Sequence, residues 1–316
     1  MDEAGKFEKA HEKLNEILEE TSKVIVGQEK VQRQLLISIL CDGNVLLESY
    51  PGLAKTKMVR TISEVIGLDF SRIQNTPDLM PSDVTGTHII SEQEGKKDFV
   101  FQQGPIFSNM VLADEINRAT PKTQAALLEA MEEKQVTVGN STYKLDKPFF
   151  IMATQNPIDQ EGTYPLPEAQ SDRFLMKVIV DYPEEHEEEQ VVDRFTSELN
   201  YAPTLNKVLS DASVIKLQEF TRQVPIADDI RAKAVSIVRE TREHEDLNYG
   251  ASPRASMGLV LAGKARAIIE GRNHVSESDI DEMAKPVLRH RLGLSFQAEK
   301  EGKDADDVVE EIVESK

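Results

Sequence analysis

Residues 45–56 of the chain read VLLESYPGLAKT, and this stretch decides the fold. A short apolar run, Val45–Leu47, leads into a turn with proline and glycine and then into a helical pattern that begins with Lys55 and Thr56. A strand, a tight turn and a helix in this order are typical of a phosphate-binding loop. Such a loop needs backbone N–H groups at a helix N-terminus, a lysine for the β- and γ-phosphates and a hydroxyl for Mg²⁺. Lys55 and Thr56 supply the last two groups.

The loop departs from the pattern G-x-x-x-x-G-K-[ST], because Ser49 and Ala54 stand where glycines are expected. Alanine lets a phosphate approach if its φ is negative, and Gly52 keeps the turn flexible, so the change at Ala54 matters less than the change at Ser49. Alone, the loop fits a nucleotide site and a turn with a surface lysine equally well.

Further apolar runs alternate with helical patterns over the first 180 residues. Predicted strands lie at 45–47, 70–73, 110–113, 149–153 and 174–180, and predicted helices at 7–24, 31–39, after residue 55 and at 121–133. Short apolar runs separated by helices are typical of a parallel sheet covered on both faces. We therefore predict an α/β core, interrupted by two hairpins at 87–103 and 135–145.

Two of these strands end in side chains suited to phosphate chemistry. The run 110–113 leads into Asp114 and Glu115, of which one carboxylate can hold Mg²⁺ and the other can polarise the attacking water. The run 149–153 leads to Asn156, an amide placed where the sheet edge would meet a γ-phosphate. One strand that ends in solvated acids is common, but three strands that aim such groups at one edge predict a nucleotide site.

Composition excludes several classes. The net charge of −19 excludes a general nucleic-acid binder, since phosphates are bound mainly by Lys and Arg. The single Cys41 excludes an intramolecular disulfide and a cysteine-based zinc site, and the six histidines show no ligand spacing. No apolar window approaches about 20 residues, and the N-terminus lacks a signal-peptide pattern. We therefore expect no membrane insertion, a cytoplasmic location and no metal other than Mg²⁺.

The pattern changes after residue 180. An acidic helix from Glu184 is interpreted as a solvated face, and a looser stretch then leads to helical patterns as far as residue 313. A boundary within 197–209 predicts a nucleotide-binding core at 1–200, ending near Asn200, and a helical lid at 201–316. In the lid, Ser252 predicts a helix start and Pro286 predicts a kink or break. A basic stripe there is interpreted as the complement of a helix C-terminus: Lys285, Arg289 and Arg291.

Together these motifs resemble the MoxR family of AAA+ ATPases, over about residues 25–292 and in the family's order. The segments that carry the resemblance are IVGQ (25–28), PGLAKT (51–56), GPIF (104–107), LADEINRA (112–119), ATQNP (153–157), LPEAQSDRF (166–174) and ASPR (251–254). The family's loop reads G-x-P-G-x-A-K-T, so Ala54 belongs to the pattern, whereas Ser49 is unusual even there.

The resemblance implies a P-loop AAA+ core with a helical lid, with ATP and Mg²⁺ as ligands. The implied cofactor-binding residues are Gln28 near the adenine, the loop residues Ser49, Pro51, Gly52, Leu53, Ala54, Lys55 and Thr56, then Asp114, and Arg254 as sensor 2. The implied metal ligands are Thr56 and Asp114. The implied catalytic residues are Glu115 as the water-activating base, Asn156 as sensor 1 and Arg173 as the arginine finger for a neighbouring subunit.

The resemblance also implies partners. An arginine finger that acts between subunits implies an oligomer, by analogy a hexameric ring. The family suggests chaperone-like remodelling of a protein partner, often one with a von Willebrand factor A domain. The two hairpins correspond to insertions shared with magnesium chelatase and MCM helicases, and we expect them to line a central pore or contact a partner.

Two alternatives stay open. A nucleic-acid motor related to MCM helicases needs a basic hairpin tip, and only Lys96 and Lys97 offer one; DNA binding that weakens steeply with salt would support it. A nucleotide-binding scaffold without turnover could follow from Ser49, although the intact pair of Asp114 and Glu115 argues against it.

Overall fold

A computed structural model describes residues 3–93, 96–157, 163–197 and 201–316. The helices are α1 (Glu3–Ser22), α2 (Glu29–Leu40), α3 (Lys55–Ile66), α4 (Pro81–Thr85), α5 (Pro121–Glu133), α6 (Glu168–Ser171), α7 (Glu185–Thr196), α8 (Asp211–Gln223), α9 (Asp228–Glu240), α10 (Pro253–Ile269), α11 (Glu277–Leu288), α12 (Phe296–Glu301) and α13 (Ala305–Glu314). The strands are β1 (Val45–Ser49), β2 (Phe70–Gln74), β3 (Gly86–Gln93), β4 (Lys96–Gln103), β5 (Met110–Asp114), β6 (Gln135–Val138), β7 (Ser141–Lys144), β8 (Phe150–Gln155), β9 (Met176–Val180), β10 (Leu247–Tyr249) and β11 (Gly293–Leu294).

The central element is a parallel sheet of five strands in the order β2-β5-β8-β1-β9. All five residues of β5 are buried, as expected for a strand with both faces covered. The predicted α/β class is confirmed, and the predicted strands are found with ends that differ by only one or two residues. The ends of β5, β8 and β1 are neighbours at one edge, because these three strands are adjacent in the sheet.

The two predicted hairpins are confirmed as separate antiparallel pairs, β3–β4 and β6–β7. They pack against each other, since the ring of Phe101 stacks on that of Tyr143 with centroids 4.0 Å apart. At the base of the first hairpin, Gly86 has a φ of 92°, and a Cβ there would lie 2.2 Å from the carbonyl oxygen of Gln102. At the tip of this hairpin, residues 94 and 95 lie outside the described residues, and β4 begins at Lys96.

The C-terminal part is helical, apart from a short ribbon of β10 and β11. One hydrophobic cluster joins it to the sheet and to α1 and α2, and it includes Leu35 and Leu259. Asn200, the predicted end of the core, lies outside the described residues. No described helix is long and apolar enough to cross a membrane.

The helix start predicted at Ser252 is confirmed, and a second capped start lies at Ser276. The Ser252 hydroxyl caps α10 by accepting from the N–H of Arg254, and Ser276 with Asp279 forms a capping box on α11. Of the kink or break predicted at Pro286, the break is wrong, because α11 continues to Leu288. A proline in the last turn removes one hydrogen bond, and the helix ends two residues later.

Candidate nucleotide-binding site

The loop between β1 and α3 offers backbone N–H groups to an anion. Gly52 has a φ of 86°, and Ala54, the N-cap of α3, has a φ of 54°. Ala54 provides no side-chain cap, so the first N–H groups of α3 stay available to a ligand. The ammonium of Lys55 donates to the carbonyl oxygen of Ser49, with Nζ 3.3 Å from that oxygen. Together these groups can bind a phosphate.

The negative φ that was the condition for a close approach of phosphate to Ala54 is not found, since its φ is 54°. Its left-handed conformation costs an L-residue roughly 1–2 kcal/mol, whereas a glycine would adopt it without strain. The other departure from the loop pattern, Ser49, is buried, and its hydroxyl donates to the carbonyl oxygen of Tyr50 at 2.8 Å. Both departures are therefore accommodated inside the loop.

Asp114, at the end of β5, contacts both neighbouring strands. Its Oδ1 accepts from the hydroxyl of Thr154 on β8 at 2.6 Å. Its Oδ2 accepts from Arg72 on β2, with Nε at 3.1 Å and Nη2 at 2.5 Å. Because only 10% of the Asp114 side chain is exposed, Arg72 balances a largely buried charge. No pattern in the sequence predicts this pair.

Glu115 also adopts the left-handed conformation, with a φ of 55°. Its N–H donates to the hydroxyl oxygen of Thr154 at 2.8 Å. Its carboxylate accepts from Arg118 at 2.9 Å and from Gln74 at 3.2 Å. One threonine thus holds the backbone of Glu115 and the side chain of Asp114. Strained backbone of this kind is frequent at functional sites.

Asn156 directly follows β8, between the strands that lead to Asp114 and to the phosphate loop. The carboxyl ends of neighbouring parallel strands are the usual place of ligand sites in open α/β sheets. The structure therefore brings the loop, the acidic pair and Asn156 to one edge, as the sequence predicts.

The residues predicted to hold Mg²⁺ have suitable chemistry, because Mg²⁺ prefers oxygen ligands and retains several waters. Thr56 offers a hydroxyl and Asp114 a carboxylate. Both carboxylate oxygens of Asp114 already accept hydrogen bonds, so Mg²⁺ would either share this carboxylate with Arg72 or displace it. The Arg72 side chain is 46% exposed and has room to move away.

A second group of possible metal ligands lies elsewhere, where His244, Asp246 and Glu311 offer atoms within 4.8 Å of one another. The ammonium of Lys303 lies between the two acids, 2.7 Å from Asp246 and 2.9 Å from Glu311. These acids raise the pKa of Lys303. The lysine already provides the cation that this group can bind.

An apolar cavity of about 130 Å³ adjoins the phosphate loop. Its lining residues precede α2, belong to the loop and the start of α3, or belong to α7 and the segment before it: Val24, Ile25, Val26, Gln28, Gly52, Leu53, Ala54, Lys57, Met58, Pro183, Val191 and Phe195. Gln28, predicted near the adenine, therefore lies at a cavity beside the loop. Its amide donates to the carbonyl oxygen of Asp181 at 2.7 Å. An apolar cavity with few polar groups suits an aromatic base.

The contribution of α7 to this cavity was missed. Its glutamates are mostly exposed, as expected for a solvated face, but Val191 and Phe195 line the cavity. Their spacing of four residues places them on one face of the helix. This spacing could have indicated an apolar face of α7 that packs on the core. The ammonium of Lys57 lies 3.9 Å from the centre of the Phe195 ring. Burial and the charge of Arg194 lower the pKa of Lys57.

Arg173 and Arg254 line a second cavity, of about 330 Å³, where the sheet meets the C-terminal helices. Both bind Glu132 at the end of α5: Arg173 Nη1 lies 2.8 Å from Oε2, and Arg254 Nη2 lies 2.7 Å from Oε1. None of residues 49–56 lines this cavity. Within one chain the two arginines thus form a group separate from the phosphate loop.

A parallel sheet with a phosphate loop, an acidic pair and an amide at one edge, followed by a helical region, defines a P-loop ATPase. Comparison with known families agrees: residues 44–176 match the "ATPase family associated with various cellular activities (AAA)", and residues 239–312 match the AAA lid domain.

Similar proteins narrow this class. The chain is 42% identical to Chaperone MoxR1 of Mycobacterium tuberculosis, over 95% of this chain and 79% of that protein. It is 45% identical to protein YeaC of Bacillus subtilis, over 97% of this chain and 95% of that protein. The crystal structure of a Cytophaga hutchinsonii protein assigned as an ATPase is 42% identical, with a TM-score of 0.91 over 98% of this chain and 96% of that one. The chain belongs to the MoxR family of AAA+ ATPases, which confirms the resemblance seen in the sequence.

Proposed function

We propose that this ATPase depends on Mg²⁺, works as a ring of identical subunits and remodels a protein partner. The observation that carries the proposal is the meeting of three adjacent strand ends, which hold the loop of Lys55 and Thr56, the acidic pair and Asn156. An apolar cavity for the base adjoins that loop. Binding and hydrolysis of ATP need these groups together.

Each residue has a distinct task in this proposal. Lys55 and the N-terminal N–H groups of α3 bind the β- and γ-phosphates. Thr56 and Asp114 would hold Mg²⁺, which supplies positive charge to the phosphate oxygens when bound. Glu115 takes a proton from the attacking water once its contact with Arg118 opens, and Asn156 orients that water.

The ring follows from the position of Arg173 and Arg254. Arg173 precedes β9, and the cavity that it shares with Arg254 includes Gly43 and Asn44 just before β1, whereas the phosphate loop follows β1 at the opposite end of these parallel strands. If the two arginines contact phosphate, that phosphate belongs to a neighbouring subunit. A head-to-tail contact of this kind closes into a ring, and the family resemblance favours six subunits.

The remodelling role is supported by an exposed apolar pair on the first hairpin. Ile90 and Phe99 are direct cross-strand partners, and 77% of Phe99 is exposed. Exposed apolar patches mark interaction surfaces. One relative is named a chaperone. We therefore propose a protein partner, with a von Willebrand factor A domain as the family suggests, in the cytoplasm.

Two variants test the site. Lys55→Ala should abolish tight ATP binding, because it removes the main cation for the β- and γ-phosphates. Glu115→Gln should retain binding and stop turnover, because the phosphate and metal ligands remain. The readouts are equilibrium binding of labelled ATP and phosphate release, each with Mg²⁺ and with a chelator.

Matched controls are Lys122→Ala and Glu133→Gln, two exposed changes on α5. The site assignment is wrong if Lys55→Ala binds ATP as the wild type does, or if Glu115→Gln loses binding rather than turnover. Full activity in the chelator would overturn the proposed role of Mg²⁺.

A further inference from the structure

The segment that carries Arg173 is held by an arginine from the C-terminal helices. Arg291, three residues after the end of α11, uses all its guanidinium nitrogens on this segment. Its Nε donates to Asp172 Oδ1 at 2.8 Å, Nη1 to the Leu175 carbonyl oxygen at 3.0 Å, and Nη2 to the Phe174 carbonyl oxygen at 2.6 Å. Arg291 thus binds the residues on both sides of Arg173 and leaves the Arg173 side chain itself untouched.

This contact is buried, and its composition explains how a charge can be buried there. Only 4% of the Arg291 side chain is exposed. Burying a guanidinium is strongly unfavourable unless a counter-charge and further acceptors compensate. Asp172 provides the counter-charge, and the carbonyl groups of the segment provide the acceptors. The sequence interpretation of Arg291 as one member of a basic stripe is therefore incomplete.

The same aspartate reaches the second arginine. Asp172 Oδ2 accepts from the hydroxyl of Ser252 at 2.9 Å, and the Ser252 hydroxyl in turn caps the helix that carries Arg254. Asp172 is therefore the junction between Arg291, the start of α10 and the Arg173 segment. A movement of the C-terminal helices would move both arginines together.

The guanidinium groups of Arg173 and Arg254 are held less firmly than the backbone that carries them. Glu132 binds both guanidinium groups, but about a third of its side chain is exposed, as is a third of Arg173 and nearly half of Arg254. Ion pairs that are this accessible to water contribute little to stability. A phosphate at a subunit contact can therefore draw the guanidinium groups away from Glu132, while Asp172 and Arg291 keep their backbone in place.

We propose that Arg291 is a positioning residue for Arg173. Arg291 acts through Asp172 and so couples the position of the C-terminal helices to ATP hydrolysis. This inference rests on the proposed role of Arg173. A group that stabilises a transition state must be held within about 0.5 Å of its productive position. A displacement of about 1 Å can lower the rate roughly 10²-fold.

The test is a double-mutant cycle between Arg291→Lys and Arg173→Ala. Lysine keeps the charge but cannot form the planar fork. We expect Arg291→Lys to lower kcat at least about 10-fold, with ATP affinity within about 3-fold of wild type, because the phosphate loop is untouched. In the Arg173→Ala background the same change should not lower the rate of hydrolysis further. In that background the rate constant of hydrolysis is measured in single-turnover experiments with radiolabelled ATP.

The matched control is Arg289→Lys, two residues away, which disturbs a comparable ion pair with Asp306. We expect it to leave kcat unchanged. Asp172→Asn, which keeps the shape of the side chain, should reproduce the effect of Arg291→Lys and is the second route if that variant fails to fold.

Two results would overturn the inference: an equal loss of kcat in both backgrounds, as a general structural role predicts, or an unchanged kcat in both Arg291→Lys and Asp172→Asn. An Arg173→Ala variant with wild-type kcat would instead refute the proposed function of Arg173, which is a separate outcome.

Discussion

The guanidinium of Arg72 lies against Asp114, with Nη2 2.5 Å from Oδ2, and so supplies positive charge to the carboxylate predicted to hold Mg²⁺. The two residues belong to neighbouring strands, and the register pairs Arg72 with Leu112 and Gln74 with Asp114. The arginine and the metal predicted here both carry positive charge and would use the same carboxylate, so we expect them to compete for it.

We expect Arg72→Gln to lower the Mg²⁺ concentration that gives half-maximal ATP hydrolysis, by a factor of about 3 to 10, which corresponds to roughly 1 kcal/mol of competition. Without Mg²⁺, the variant should unfold at lower urea, because a buried carboxylate loses its partner. Arg72→Lys retains the charge and serves as the control. A higher requirement for Mg²⁺ in Arg72→Gln would show that Arg72 supports the metal site instead of competing with it.

Ala54→Gly tests the strained N-cap of the phosphate loop. Glycine removes a left-handed penalty of roughly 1–2 kcal/mol but adds about 0.5–1 kcal/mol of unfolded-state entropy. We therefore expect a free energy of unfolding equal to the wild type's or up to about 1.5 kcal/mol higher, with ATP affinity within about 3-fold. Urea unfolding can be followed by circular dichroism, since the chain has no tryptophan.

Ala54→Val is the opposite case, because a β-branched residue fits the left-handed region poorly. It should be destabilised and should bind ATP more weakly. A clear loss of stability in Ala54→Gly would mean that the φ of 54° is not a source of strain.

The sheet and most helices could be predicted because their signals are local. A run such as Met110–Asp114 is apolar over its length, and a helix such as Pro121–Glu133 begins with a proline after the N-cap Thr120. The motifs placed Lys55, Asp114 and Asn156 at strand ends, and topology then brought those ends together.

The contacts that hold the site could not be predicted, because they join residues far apart in sequence. Arg72 binds Asp114 over 42 positions, and Arg291 binds Asp172 over 119. A basic side chain is well solvated at almost any surface position, so the residue type alone does not indicate which residue it binds. The φ of Ala54 could not be predicted for a related reason, since the loop rather than the residue sets it.

His290 should make stability depend on pH. Its Nε2–H donates to the Phe174 carbonyl oxygen at 3.1 Å, and Nδ1 is buried without a hydrogen-bond partner among the described residues. Burial and the charge of Arg291 hold the pKa of His290 well below its usual value of 6.5, so the folded protein keeps it neutral. Below about pH 6.5 the unfolded chain binds this proton and the folded chain does not.

The free energy of unfolding should therefore fall as the pH drops below 6.5, by up to about 1.4 kcal/mol per pH unit from this residue. Urea unfolding at pH 7.5, 6.5 and 5.5 measures the slope. His290→Asn should have a shallower slope, whatever its absolute stability. Equal slopes in both proteins would contradict a neutral, buried His290.

The last prediction separates a ring from a self-contained enzyme. If Arg173 acts on a neighbouring subunit, Arg173→Ala should bind ATP within a few-fold of wild type and lose hydrolysis, since such arginines contribute roughly 10³ to 10⁵ in rate. Lys55→Ala is inactive for a different reason and keeps its own Arg173. Mixing the two variants should restore up to about a quarter of wild-type activity, because random mixing creates that share of complete sites in a head-to-tail ring.

The control mixture combines Lys55→Ala with the double variant of Lys55→Ala and Arg173→Ala, which contains no complete site and should stay inactive. Specific activity of the wild type should also fall on dilution as the ring dissociates. An Arg173 that serves only as the partner of Glu132 in its own chain predicts neither effect. Activity independent of concentration, together with no recovery in mixtures whose tagged subunits are seen to exchange, would refute a role across the interface and remove the main argument for a ring.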